Sequence, residues 1–294
     1  MKNNIYAKSG VNYENLDPVK KFALAAALST SKYLKGELKE SRGESAFIWK
    51  QGEIYMASVL ECLGTKNLVA DQMYKITKKS FYDVIANDTV AAAINDLVAS
   101  GAKPQVVHAF WGLWNDQWLL DKTRVGDFIR GWKEACGISG VTWGGGETPS
   151  LTSVIEKESV VLAASATGII NKKERLITDT KLKAGDRIIL IKSAGVNANG
   201  ISLVRAIAKK LKDGYKTKLK NKKMFGEQVL NKTNIYAKLV EDLLNNKIEV
   251  HYISNITGHG LRKIMRARNK FTYVVEKVFE PQEIFEFIKE NQGF

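Results

Sequence analysis

Three short polar turns in this chain of 294 residues hold the residue types that phosphate chemistry needs. The first is Glu61-Cys62-Leu63-Gly64-Thr65-Lys66, which follows an apolar, β-like run over 54–60. The second is Ile94-Asn95-Asp96-Leu97, and the third is Gly144-Gly145-Gly146-Glu147-Thr148. A carboxylate can hold Mg²⁺, a glycine lets the backbone approach a phosphate, and a lysine neutralises transferred charge. Taken together the turns read as a site for a metal-bound polyphosphate. Taken alone, the hexapeptide better fits a solvated turn that ends in an ordinary lysine.

Two further glycine-rich turns follow. Residues 193–200, from Ser193 through Asn197 and Asn199 to Gly200, join a strand to a helix over 201–211, and an anion suits such a helix N-terminus. A generic strand-to-helix connection has the same composition. Asn255-Ile256-Thr257-Gly258-His259-Gly260-Leu261 leads into a basic helix over 262–268. Several other chemistries are excluded. Gly64-Thr65-Lys66 reverses the Gly-Lys-Thr order of a P-loop and lacks its upstream glycine. There is no Gly-x-Gly-x-x-Gly, and no local motif pairs a nucleophile with a base. Cys62 fits a thiol buried beside a strand end better than a nucleophile.

The elements that must position these turns are read from periodicity. Asp17 and Pro18 predict a helix start, with Val19, Phe22, Ala23, Ala26 and Ala27 on its buried face. Gln51-Gly52 predicts a hairpin between strands over 46–49 and 54–60. Asp88 is placed as the N-cap of a helix over 89–100, which Gly101 and Pro104 stop. Further strands are predicted over 106–111, 141–143 and 159–170, with a helix over 123–136 between the first two. The lobe boundary falls at 170/171. After it come strands over 187–192, 248–253 and 271–277, a helix capped by Thr233, and a last helix from Pro281.

Composition sets the class. A 45% hydrophobic fraction supplies a core. No apolar stretch is long enough to span a bilayer, and the N-terminus lacks the apolar centre of a secretory signal. Cys62 and Cys136 make no disulfide framework, and His108, His251 and His259 are too scattered for zinc, so a cytoplasmic protein is expected. The formal charge is +14, with lysines concentrated over 209–223. That block lacks interleaved aromatic residues, so it reads as a solvated surface or a field for phosphorylated metabolites rather than a nucleic-acid site.

In order along the chain, these turns resemble the phosphoribosylformylglycinamidine cyclo-ligase family, also called aminoimidazole ribonucleotide (AIR) synthetase. Its superfamily also holds thiamine-monophosphate kinase and selenophosphate synthetase. The arm from Tyr6 through Gly10 to Asn12 is similar to the family's Tyr-x-x-Ala-Gly-Val-Asp. Glu61 to Lys66 falls on Asp-Gly-Val-Gly-Thr-Lys, Asn95-Asp96-Leu97 on Asn-Asp-Leu, and Gly145-Gly146-Glu147-Thr148 on Gly-Gly-Glu-Thr. The loop over 193–200 and the turn over 255–261 have counterparts too. The departures are Glu61 for Asp, Cys62-Leu63 for Gly-Val, Asn197 and Asn255 for two histidines, and His259 for glycine. The family also continues past residue 294, so the chain reads as a divergent, C-terminally short member.

The resemblance implies an α+β fold of two lobes, 1–170 and an incomplete 171–294. It implies a homodimer whose N-terminal sheets share a barrel, with ATP along the dimer cleft. The implied activity is ATP-dependent closure of the imidazole ring of formylglycinamidine ribonucleotide in purine biosynthesis. A superfamily small-molecule kinase and a non-catalytic nucleotide-binding paralogue are the alternatives. By the same resemblance Glu61, Asp88 and Glu147 are the Mg²⁺ ligands, and Lys66, Asp88 and Glu61 the catalytic groups. Gly64, Thr65, Lys66, Asn95, Asp96, Gly145, Gly146, Glu147 and Thr148 would bind ATP. Ser193, Asn199, Gly200, Thr257, Gly258 and His259 would hold the substrate.

Overall fold

A computed structural model describes residues 13–291; the arm around Tyr6 to Asn12 lies outside them. The fold is mixed α+β around one five-stranded sheet. Its strands are β1 (Phe47–Gln51), β2 (Ile54–Cys62), β3 (Lys103–Leu113), β4 (Thr142–Glu147) and β5 (Val160–Ile170), in the order β1-β2-β5-β3-β4. Neighbours are antiparallel except β3 and β4, which run parallel. The expected hairpin is present, with Gly52 at φ +59°.

Beyond α1 (Tyr13–Ser29), two helices flank the first turn and the sheet: α2 (Lys66–Thr77) and α3 (Tyr82–Val98). Helix α4 (Lys122–Ser139) packs on α3, capped by Asp121, which accepts from the Arg124 N–H at 3.0 Å. Helix α3 packs on β2, β3 and β5 and is buried along nearly its whole length. An apolar helix buried all round makes a core, but it also carries Asn87, Asp88, Asn95 and Asp96 out of water. Each of those must therefore find a protein or ligand partner. Later in the chain come α5 (Ile201–Lys210), α6 (Phe225–Val229), α7 (Ala237–Asn245) and α8 (Glu283–Asn291).

Several local expectations change. Helix α1 begins at Tyr13, with Pro18 inside it, and Asp17 is not its cap. Its expected buried face is open: Val19 is 65% and Phe22 78% exposed, because no described element covers it. Asp88 lies in the middle of α3, since its carboxylate is spent on tertiary partners rather than on capping. Helix α2, for which no expectation was formed, starts directly at Lys66. The runs over 187–192, 248–253 and 271–277 form no strand and no ladder, and residues of all three border one cavity.

Candidate active site

Helix α3 carries its four polar residues as two adjacent pairs about two turns apart, and they engage two segments from far along the chain. Asp88 Oδ2 receives the Lys66 ammonium at 2.5 Å, and both side chains are fully buried. Asp88 Oδ1 accepts from the Thr233 N–H at 2.7 Å and from the Asn87 amide at 3.1 Å. Lys66 also donates to the Asn231 carbonyl at 3.0 Å. One face further along, Asn95 donates to the Asn234 carbonyl at 2.8 Å and accepts from the Tyr236 N–H at 2.9 Å. The segment 231–236 is thereby tied to α3 through its backbone. Thr233 caps nothing, because α7 starts only at Ala237, four residues further on.

Asp96 Oδ1 accepts from the Asn255 amide at 2.7 Å and lies 3.7 Å from the Lys263 ammonium. Glu61, at the end of β2, faces the same spot. Burial, and next the negative charge of Asp96, raise its carboxyl from the usual 4.5 to about 7, while Lys263 partly offsets this. Burial lowers the Lys263 ammonium, and Asp96 opposes that.

These groups border a cavity of about 1370 Å³. Glu61, Asp88, Asn95, Asp96, Ser193, Asn199 and Thr257 all line it, so the structure brings those expected residues together. Asn197 Oδ1 and Thr233 Oγ1, from two more lining residues, are buried with no hydrogen-bond partner among the described residues. The other expected residues lie elsewhere. Lys66 is not at the cavity surface; its ammonium is 0% exposed behind Asp88. Gly64, with φ +77°, and Thr65 form the turn just outside the lining, before the N-terminus of α2. Gly200 and Gly258 adjoin lining residues without lining the cavity themselves, and His259 lies one residue further away. Gly145, Gly146, Glu147 and Thr148 stand exposed at the edge strand β4.

Glu61, Asp88 and Glu147 therefore do not meet, and among the described residues no three His, Cys, Asp or Glu side chains stand close enough for a metal. The pair that does meet is Glu61 and Asp96. Periodicity could not have indicated Lys263, which sits in a run of basic residues and is singled out only by burial. Mg²⁺ is commonly held by one or two carboxylates plus substrate phosphates. The Glu61–Asp96 pair fits that pattern, since burial, and next the charge of Asp96, already raise the Glu61 carboxyl, and a cation between them would relieve both.

The chain matches known proteins throughout. Residues 43–170 match the model of AIR synthase related protein, N-terminal domain, and residues 183–264 that of AIR synthase related protein, C-terminal domain. A phosphoribosylformylglycinamidine cyclo-ligase of Pyrococcus furiosus is 31% identical over 266 residues, covering 90% of this chain and 75% of the relative. One of Thermococcus kodakarensis is 31% identical over 290 residues, covering 97% and 81%. Among solved structures, AaThiL complexed with AMPPCP and TMP superposes with a TM-score of 0.50 at 13% identity, over 76% of this chain and 62% of that one. This last likeness concerns the fold alone.

Proposed function

The chain belongs to the phosphoribosylformylglycinamidine cyclo-ligase family, and on that premise we propose that it closes the imidazole ring of formylglycinamidine ribonucleotide at the expense of ATP. The formyl oxygen attacks the γ-phosphorus and the bond to ADP breaks. The amidine nitrogen then attacks the formyl carbon, the carbon–oxygen bond breaks, phosphate leaves and a proton is lost. Phosphorylation thus turns a poor oxygen leaving group into a good one.

The observation that carries the reading is the cavity beside α3. It is roomy enough for two nucleotides and bordered by unpaired polar atoms and the Glu61–Asp96 pair. Glu61 and Asp96 are the residues that would hold Mg²⁺, which would neutralise charge on the phosphates. The turn over 61–66 meets the cavity through Glu61 and Cys62, with Gly64 and Thr65 shaping it from just outside the lining. Lys66 acts through Asp88 rather than on a phosphate. Residues 193–200 and 255–260 frame the substrate end.

The division into lobes 1–170 and 171–294 is supported by the two family models meeting between 170 and 183. The N-terminal lobe is inferred to dimerise through the sheet face opposite α3, where Leu60 is 74% and Val161 40% exposed. The chain is taken to act in the cytoplasm. Its two cysteines are free, and no described helix is long and apolar enough to cross a membrane.

The test is direct. Purified protein with Mg-ATP and formylglycinamidine ribonucleotide should release ADP, phosphate and AIR in equal amounts. Absence of AIR, or phosphate retained on the substrate as in a kinase, would reject the proposal.

A further inference from the structure

One buried cation has no part in the reaction as described so far. Lys263 is 6% exposed, although its neighbours Arg262 and Arg266 are exposed. Burying an ammonium is costly unless it is hydrogen-bonded and paired. Lys263 donates to Thr257 Oγ1 at 2.7 Å and lies 3.7 Å from Asp96 Oδ1. The same Asp96 oxygen accepts from Asn255 at 2.7 Å. Two residues of one short segment, Asn255 and Lys263, therefore converge on a single carboxylate of α3, and Thr257 is tied to it through Lys263.

The segment needs such anchoring. His259 and Gly260 have φ of +67° and +60°, two successive residues in the left-handed region that a non-glycine residue disfavours. Within the turn, the Gly260 N–H donates to the Thr257 carbonyl at 3.2 Å. A hydroxyl has one donor and two acceptor positions. Because Thr257 accepts from the ammonium, its own proton remains available to donate toward the cavity that Thr257 lines.

We infer that Lys263 is a positioning residue of the active site, which ties the turn over 257–260 to Asp96 and orients the Thr257 hydroxyl for the substrate. What the turn does with substrate rests on the cyclo-ligase reading; the anchoring does not.

Hydrogen exchange on the free full-length protein tests the anchoring. Lys263→Met should speed exchange by about ten-fold or more over 255–261 while leaving 231–236 as in the parent. Unchanged exchange over 255–261, or equal loosening of both segments, would overturn the inference. Steady-state kinetics test the consequence. Lys263→Met should raise KM for formylglycinamidine ribonucleotide about ten-fold and KM for ATP distinctly less, and adding Thr257→Val should cost little more because the two act as one unit. Multiplying losses in the double variant, or equal loss toward both substrates, would overturn the orienting role. If the parent protein makes no AIR, the cyclo-ligase reading falls, and the exchange result still decides the anchoring.

Discussion

At the scale of single residues, the site is governed by what burial does to charge. Lys66 and Asp88 are a buried pair whose solvation was lost on folding, so removing one partner strands the other. Asp88→Leu should cost about 3–5 kcal/mol of stability in urea unfolding, and Lys66→Met a similar amount. The double variant Lys66→Met with Asp88→Leu should recover part of that loss, because no uncompensated charge remains. Glu61 poses the opposite case. Its folded carboxyl titrates at about 7, above the usual 4.5, so the folded state holds a proton that the unfolded state has already released. Its contribution is fully present below the unfolded value and is lost as pH rises through the folded one. Without divalent metal, Glu61→Gln should therefore flatten the fall in stability between about pH 5 and about pH 8, and should stabilise most at the upper end. Thermal melting across that range in EDTA checks it.

At the scale of elements, α3 is the part on which the others are registered. Its sheet side makes the core, and its polar residues fasten 231–236 and 255–263, two segments separated from it by well over a hundred residues of chain. The close approach of α4 depends on Gly131, where an added Cβ would meet Asp83 Cα and O at 2.5 Å. Both atoms are backbone and cannot step aside. Gly131→Ala should cost about 1–3 kcal/mol through overpacking, read from chemical denaturation. It should weaken ligand binding as well, since α3 carries both anchoring acids. A parallel substitution at Gly126, which has open space around it, should change little.

At the scale of the whole molecule, the sheet has one face under α3 and another facing outward with Leu60 and Val161 at its surface. A half-covered sheet with exposed apolar residues is an interface in waiting. Leu60→Lys should shift sedimentation from dimer toward monomer without a fall in secondary structure. A single dimeric species in both proteins would count against the proposed barrel. Glu147 and its glycines, exposed on the edge strand, are expected to become protected on dimerisation, which hydrogen exchange of β4 would show.

The hairpin at Gly52, the strands around β3 and β5 and the glycine turns were legible in the sequence, because alternation, turn residues and local order are short-range properties. The ordered set of motifs also carried the family. Other features belonged to tertiary structure. Asp88 looked like a helix cap, since an acid before an apolar run has that local meaning; only the arrival of Lys66 and Thr233 gave it another use. The partnership of Glu61 with Asp96, rather than with Asp88 and Glu147, depends on which strand end faces which turn of α3. Lys263 is one lysine among many in the sequence, and burial alone sets it apart. Side-chain chemistry and periodicity are written residue by residue. Which charges lose their water, and which partner each then meets, is decided by contacts between segments far apart in the chain.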